Sequence, residues 1–205
     1  MNSAVTRRGL LVGAGAMGVL GLAGCTTTQV GLLDANGYPT IPFEGRDRSP
    51  FDAMFISQGR ATRERVAFSG RERPGTVIVD TRARTLHLVE ANGTAIRYSV
   101  GVGREGFQWA GTHRVTRKAE WPDWTPPPQM LRRRPDLPRF MRGGPANPMG
   151  ARGIYIGATL YRVHGSNEPE TIGHAVSSGC IRMHNADIID LYERVRVGAT
   201  VTVRR

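Results

Sequence analysis

Two side chains in the C-terminal part of this 205-residue chain could perform nucleophilic catalysis: His164 and Cys180, sixteen residues apart. A thiolate, rather than a thiol, attacks a carbonyl, and a neighbouring imidazole can accept the thiol proton. Gly179 would let the backbone approach the reacting carbonyl, and amide N–H groups around Cys180 could then stabilise the oxyanion. The pattern predicts acyl transfer. The competing interpretation is a structural histidine and an inert buried cysteine.

Three other functions compete with acyl transfer. A zinc site would draw on His164, His174, Cys180 and His184, but their spacing matches no common zinc motif and a cysteine pair is missing. A papain-like hydrolase would have its cysteine upstream of the histidine, whereas here the histidine comes first. A non-catalytic wall-binding protein would be basic and tethered, and its binding would survive loss of the thiol. We expect no metal and no cofactor.

The elements that must position the pair are mostly short strands. Alternating and β-branched apolar residues predict strands at the following segments: 77–79, 86–89, 96–100, 111–120, 154–156, 160–164 and 200–203. Asn92-Gly93 predicts a hairpin, because both central residues of a type I′ turn have positive φ. One helix is expected after the cysteine, with Asn185 as its N-cap and Gly198 at its end. The pattern therefore predicts a mainly β domain with one C-terminal helix.

A long segment, residues 121–150, interrupts the strand pattern and contains eight of the 13 prolines. Loops of this length are uncommon in compact domains and usually serve a function. Trp121 and Trp124 provide apolar surface, but their positions do not fit the periodic pattern of a buried strand or helix. Several arginines follow them. We predict a flap that closes over the site and binds substrate, with a passive surface insertion as the alternative.

The first 25 residues have the layout of an export signal. Arg7 and Arg8 precede a short apolar run that ends in small residues, as in twin-arginine signals. The sequence Leu-Ala-Gly-Cys ending at Cys25 resembles a lipoprotein cleavage site, which predicts a lipid on Cys25 and anchoring to a membrane. Residues 26–74 are expected to form a tether and an irregular N-terminal arm. The predicted location is therefore the periplasm or cell envelope.

The charge and composition exclude several classes of protein. The formal charge is +11, and cleavage before Cys25 removes two arginines and no acidic residue, which leaves +9. Outside the cytoplasm, such a surface meets anionic wall polymers or lipid head groups, so no nucleic-acid partner is expected. Two cysteines are too few for a disulfide scaffold, and the body of the chain has no apolar stretch long enough for a polytopic membrane protein.

The sequence from Ser177 to Met183, Ser-Ser-Gly-Cys-Ile-Arg-Met, follows His164-Gly165 and precedes a helix that contains Asp187. It resembles the signature of the L,D-transpeptidase (YkuD-like) family, and the likeness extends over about residues 75–204. The family often has histidine where this chain has Ser178. The resemblance implies a sandwich-like fold in which residues 75–204 form the catalytic domain.

The resemblance also implies roles for the residues of the motif. Cys180 would be the nucleophile and His164 the general base, with a backbone carbonyl near Gly165 orienting the imidazole. Ser177 and Gly179 would shape the oxyanion pocket.

Further implied roles concern the substrate. Arg182 would bind a substrate carboxylate, and Trp121 and Trp124 would line the flap over the site. Ser178 is grouped with the substrate-binding residues, and its role stays open between local hydrogen bonding and none.

The resemblance finally implies a reaction on peptidoglycan stem peptides. The L–D bond ahead of a terminal D-alanine would be cut, with the acyl group held on the cysteine. Transfer to an amine of a neighbouring stem would give a 3→3 crosslink. Transfer to water would make the protein an L,D-carboxypeptidase, and transfer to a protein amine would anchor a lipoprotein.

Overall fold

A computed structural model describes residues 61–205, which contain eleven strands, two α-helices and one 3-10 turn. The strands are β1 (Glu64–Ala67), β2 (Val77–Asp80), β3 (Thr85–Val89), β4 (Thr94–Ser99), β5 (Val102–Gly103), β6 (Gly111–Glu120), β7 (Arg152–Ile156), β8 (Arg162–His164), β9 (Ala175–Ser177), β10 (Ile181–Arg182) and β11 (Thr200–Arg204). The helices are α1 (Pro128–Arg133) and α2 (Asn185–Arg194), and the 3-10 turn is Pro169–Thr171. The predicted export signal, Cys25 and most of the tether and arm lie outside the described residues.

Nine of the described strands form one sheet in the order β1-β4-β3-β2-β11-β6-β7-β8-β10, and β5 pairs with β9. Strand β6 joins the two halves of the sheet. Its residues 111–114 pair with β11, and its second half pairs with β7 after an irregular step between Val115 and Arg117. Both halves contribute side chains to one apolar core. The prediction of a mainly β domain is confirmed.

The hairpin at Asn92-Gly93 joins β3 to β4 as predicted. Asn92 has a φ of 64° and Gly93 a φ of 70°, the positive values that a type I′ turn needs. The two strands then pair in antiparallel register from Val89 opposite Ala95. This register turns Leu86, Leu88, Ile96 and Tyr98 into the core, where each is at most 5% exposed.

Helix α2 follows the motif around Cys180 and packs against the apolar core. Ile188 and Leu191 are fully buried on its inner face, in the i, i+3 spacing that the sequence shows. Burial of a leucine or isoleucine contributes about 1.5–3 kcal/mol, so these residues hold the helix against the sheet. The helix ends at Arg194, with Val195 as its C-cap and Gly198 in the following turn, so it is shorter than predicted.

The described part of the N-terminal arm is not irregular, because it contains β1, which pairs antiparallel with β4. Apolar alternation is absent there since β1 is an edge strand whose side chains are mostly exposed. The residues just before β1 are hydrogen-bonded to helix α2. The Thr62 backbone N–H and hydroxyl donate to Asp187 Oδ2 at 2.9 and 2.8 Å. Arg63 forms an ion pair with the same buried carboxylate at 3.2 Å.

The segment 121–150 contains the short helix α1, which the sequence analysis did not predict. Its proline-rich start suits the first helical turn, where a backbone N–H is not needed, and none of its residues is buried. Among residues 61–205, no helix is long and apolar enough to cross a membrane.

Candidate active site

Two neighbouring strands bring His164 and Cys180 to the same place. Strands β8 and β10 are parallel, with Ile181 opposite Val163 and Arg182 opposite His164. Cys180 directly precedes β10, so it lies beside the strand that ends in His164. The two residues, separated by a long loop in the sequence, line one cavity.

The His164 ring is buried and fixed by a backbone carbonyl. The residue is 5% exposed, and its Nδ1 lies 2.6 Å from the carbonyl oxygen of Gly165. A carbonyl oxygen can only accept a hydrogen bond, so Nδ1 carries the proton and Nε2 keeps its lone pair. Burial, and next the positive charge of Arg182, lower the pKa of His164 to about 3. The imidazole is therefore neutral at pH 7.

The Cys180 thiol is also neutral at pH 7 in the free protein. Burial raises its pKa, although the charges of Arg162 and Arg182 act in the opposite direction. Cys180 keeps part of its surface accessible in the cavity, and its Sγ lies 3.8 Å from the carbonyl oxygen of Leu160. A neutral thiol and a neutral imidazole mean that any thiolate must form by proton transfer within the site.

The turn before the cysteine is closed by the Ser177 hydroxyl. Ser177 Oγ donates to the carbonyl oxygen of Cys180 at 2.6 Å and accepts from the Gly179 N–H at 3.1 Å. The assignment of Gly179 and Ser177 to the oxyanion pocket stays a prediction; the Gly179 N–H itself is already used inside the turn. The next amide along the chain, the Cys180 N–H, is the candidate oxyanion donor.

Gly179 is needed for its conformation and for space. Its φ is +107°, and a Cβ at this position would lie 2.5 Å from Cε1 of Tyr161. The glycine therefore lets the turn pack against the aromatic ring while presenting the following cysteine to the cavity.

Trp109 supports this turn, and the sequence analysis missed it. Its indole N–H donates to the carbonyl oxygen of Gly179 at 2.7 Å. Its ring stacks on that of Tyr161 with centroids 4.4 Å apart and planes 5° from parallel. The sequence shows only an isolated tryptophan in a glycine-rich loop, seventy residues from the turn it holds, so no local pattern could have identified it.

Asn185 does not cap helix α2, contrary to the prediction. The N-cap residue is His184, and the Asn185 side chain instead reaches the chain next to the histidine. Its Oδ1 accepts from the Ala151 N–H at 2.9 Å and the Ser166 N–H at 3.3 Å, and its Nδ2 donates to the Ser166 carbonyl at 3.0 Å. A buried amide with three partners fixes the backbone whose Gly165 carbonyl orients the imidazole.

The segment 121–150 forms one wall of the cavity, which has a volume of about 750 Å³. Trp124 lines it, held by an antiparallel bridge in which Trp124 and Met141 exchange two backbone hydrogen bonds of 2.8 Å. Trp121 does not line the cavity, so its predicted place there is wrong. It directly follows β6, has a φ of 40°, and its amide N–H donates to the Ala151 carbonyl at 2.8 Å, so the chain turns at the start of this segment.

The cavity is strongly basic. Of the described residues that line it, five are arginines and one, Glu168, is a carboxylate. Arg182 lies there as predicted but forms an ion pair with Glu168 at 2.7 Å and contacts Thr171. Ser178 also lines the cavity.

The histidines of the alternative zinc site are not gathered with the cysteine. Within residues 61–205, no group of three or more His, Cys, Asp or Glu side chains is arranged to hold a metal ion. His174 and His184 do not line the cavity that contains His164 and Cys180.

A sequence profile described as YkuD, L,D-transpeptidase catalytic domain, matches residues 74–203. The chain belongs to this family. The resemblance seen in the sequence is therefore confirmed, and the matched residues hold both His164 and Cys180.

Individual relatives agree with the family match. The Escherichia coli protein ErfK/SrfK, named as an L,D-transpeptidase, is 40% identical over 139 residues, which are 64% of this chain and 44% of that protein. A Fuscovulum blasticum protein, also named as an L,D-transpeptidase, is 32% identical over 134 residues, covering 62% of this chain and 68% of that protein. The match therefore spans less than half the length of the Escherichia coli relative.

Solved structures show the same fold. The L,D-transpeptidase from Mycobacterium smegmatis superimposes with a TM-score of 0.52 at 17% identity, covering 63% of this chain and 58% of that one. An L,D-transpeptidase from Enterococcus faecium gives a TM-score of 0.51 at 17% identity, covering 64% of this chain and 50% of that one. The predicted L,D-transpeptidase fold is confirmed.

Proposed function

We propose that the protein is a peptidoglycan L,D-transpeptidase that forms an acyl-enzyme on Cys180 and produces 3→3 crosslinks between stem peptides. One observation carries the proposal: the 2.6 Å contact between His164 Nδ1 and the Gly165 carbonyl. It leaves the Nε2 lone pair as a proton acceptor in the cavity that also contains the thiol. A nucleophile, a base and a group that orients the base are the minimum for covalent acyl transfer.

The first half-reaction acylates the cysteine. The thiol proton passes to His164 Nε2 while Cys180 Sγ bonds to the carbonyl carbon of the L–D peptide bond. The carbonyl oxygen becomes an oxyanion, which the Cys180 amide N–H stabilises. The C–N bond then breaks, and the proton on His164 moves to the leaving amine of D-alanine. A thioester and free D-alanine result.

The second half-reaction transfers the acyl group. The side-chain amine of a neighbouring stem attacks the thioester carbonyl, and His164 takes a proton from the attacking nitrogen. The C–S bond breaks, and the proton returns to the sulfur, which restores the thiol. Because His164 acts first as base and then as acid in each half-reaction, a neutral ground-state imidazole is the required starting form.

The charge of the cavity supports a stem peptide as the acyl donor. Stem peptides carry several carboxylates, and five arginines against one glutamate give the lining a net positive charge. A volume of about 750 Å³ accommodates a short peptide rather than a single amino acid. Export and a lipid on Cys25 belong to the same proposal, since the substrate lies outside the cytoplasm.

The acyl-enzyme is tested by the intact mass of the full chain after incubation with a carbapenem, a β-lactam acyl donor. We expect one covalent adduct per chain, absent from Cys180→Ala. His164→Ala should slow adduct formation by about 10²–10⁴, the usual effect of one positioned acid–base group. His174→Ala is the matched control and should change the rate little. An adduct that persists in Cys180→Ala would refute the assignment.

The choice of acceptor is tested with a disaccharide tetrapeptide as the only peptide substrate. A crosslinked dimer and free D-alanine support the proposal. Tripeptide without dimer would show an L,D-carboxypeptidase, and product only after addition of an acceptor protein would show lipoprotein anchoring. Binding of stem peptide without any product or adduct would show a non-catalytic wall-binding protein.

A further inference from the structure

The five arginines that line the cavity differ in whether a carboxylate already pairs with them and in whether their charge acts on the reacting cysteine and histidine. Arg104 and Arg133 lie over the ring of Phe107, at 4.2 and 5.2 Å from its centroid. Arg134 is held by Asp136 through an ion pair at 2.7 Å. The positive charges of these three residues are not among those that shift the pKa of the reacting cysteine or histidine.

Arg162 and Arg182 are the two whose charges act on both Cys180 and His164. Arg182 is already bound to Glu168, at 2.7 Å. Arg162 has no ion pair with any residue between 61 and 205. This leaves one guanidinium beside the reacting pair without a carboxylate.

The remaining contacts of Arg162 do not satisfy its hydrogen-bond donors. Its Nη1 lies 3.8 Å from the sulfur of Met149, which is a weak acceptor. Its guanidinium carbon lies 5.5 Å from the centroid of the Tyr155 ring, a contact that supplies no carboxylate. Its Nε is buried and has no hydrogen-bond partner within the described residues. Buried donors are nearly always paired in folded proteins, so an unpaired guanidinium nitrogen on a residue that lines the cavity points to a missing anion.

The position of Arg162 on its strand fits an anion next to the thiol. It begins β8 and His164 ends it, and side chains two residues apart in a strand lie on the same face. Cys180 lies next to this strand. In a donor peptide, the carboxylate of the terminal amino acid is separated from the scissile nitrogen by one carbon atom, so it must also lie within a few ångströms of the sulfur.

We propose that Arg162 binds the free C-terminal carboxylate of the leaving amino acid, and thereby restricts the reaction to acyl donors whose scissile bond is the last in the chain. This inference rests on the proposed function, since it concerns the donor of that reaction. The sequence-based assignment gave the carboxylate to Arg182, but its pairing with Glu168 makes Arg162 the better placed of the two.

The experiment compares two donors that differ only at the C-terminus. One is a stem tetrapeptide ending in D-alanine with a free carboxylate, and the other ends in the carboxamide. The measured quantity is kcat/KM for release of the terminal residue by the full chain. A bidentate, charge-assisted contact between the guanidinium and the carboxylate predicts that the parent prefers the free acid by about 10- to 100-fold in kcat/KM.

Arg162→Gln should reduce this preference to nearly one, mainly by slowing the reaction of the free acid through a higher KM. Removal of the charge also raises the thiol pKa, but this affects both donors equally and cancels in the ratio. Arg162→Lys should restore part of the preference. Arg73→Gln, which removes an exposed positive charge away from the cavity lining, should leave the ratio unchanged.

Three results would overturn the role of Arg162 while leaving the proposed function intact. The parent could use both donors equally, Arg162→Gln could slow both by the same factor, or Arg182→Gln alone could abolish the preference. Failure of the parent to release the terminal residue from either donor would overturn the proposed function and this inference with it.

Discussion

Replacing His164 with glutamine should make the folded protein less sensitive to acid, even though the histidine is part of the candidate site. The folded-state pKa of His164 is about 3, against an ordinary value of 6.5. Between these two pH values, the unfolded chain binds a proton on this residue and the folded chain does not. The free energy of unfolding therefore falls as the pH is lowered through this window.

The size of the effect follows from the same two values. Each pKa unit corresponds to about 1.4 kcal/mol, so lowering the pH from 6.5 to 4 should cost the parent about 3 kcal/mol through His164 alone. A typical domain is stable by only about 5–15 kcal/mol, so this is a large share. Asp190 also contributes to acid sensitivity, because hydrogen bonds from Arg194 and Tyr98 lower its pKa despite burial, but it does so in the parent and in the variant alike.

The assay is unfolding of the parent and of His164→Gln in urea at several pH values from 6.5 to 4. Tryptophan fluorescence monitors the transition. Glutamine cannot be protonated, so the difference in unfolding free energy between the two proteins should change by about 3 kcal/mol across the range. Curves that stay parallel would refute the depressed pKa. They would also undermine the conclusion that a neutral imidazole is available as a base below pH 6.

The same pKa has a consequence for activity. The rate of adduct formation with a carbapenem should not decrease between pH 7 and pH 5, because His164 stays neutral over this range. A decrease with a midpoint near pH 6.5 would indicate a solvent-exposed imidazole instead.

Three further predictions concern residues around the site. Gly165→Ala should destabilise the fold by about 1–3 kcal/mol in urea unfolding, because its Cβ would lie 2.2 Å from Asn185 Oδ1; an unchanged midpoint would contradict the close packing. Trp109→Phe keeps an aromatic ring but removes the hydrogen bond to Gly179, so it should cost about 1 kcal/mol and slow carbapenem acylation, and an unaltered acylation rate would show that the turn needs no such support. Replacing residues 127–140 with a short Gly/Ser linker should leave the melting temperature within a few degrees, since none of these residues is buried, while the KM for stem peptides rises; collapse of the fold would show that the segment is a structural brace.

Features that depend on neighbouring residues could be predicted from the sequence. The Asn92-Gly93 turn has the positive φ values that its residue types favour, and the apolar alternation around Leu86 and Ile96 marks strands that the structure contains. The motif around Cys180 and its spacing from His164 were sufficient to indicate the family. Each of these patterns involves only residues that are close together in the sequence. Over such short stretches, local steric constraints and periodic burial determine the conformation.

Features that depend on distant residues were decided only by the tertiary structure. The sequence marked Trp121 and Trp124 alike, but only Trp124 faces the cavity, because Trp121 is tied by its amide to Ala151. The edge strand β1 had no apolar alternation to reveal it, since an exposed edge does not require buried side chains.

The donors and acceptors of the site show the same division. The family resemblance implied that Arg182 binds a substrate carboxylate, but its pairing with Glu168 and the unpaired Nε of Arg162 arise from packing. Likewise, the Gly179 N–H is unavailable to the substrate because, in the folded protein, it donates a hydrogen bond to the Ser177 hydroxyl. Sequence determines which side chains are able to react, whereas the hydrogen bonds and ion pairs formed on folding determine which of their donors and acceptors remain for a substrate.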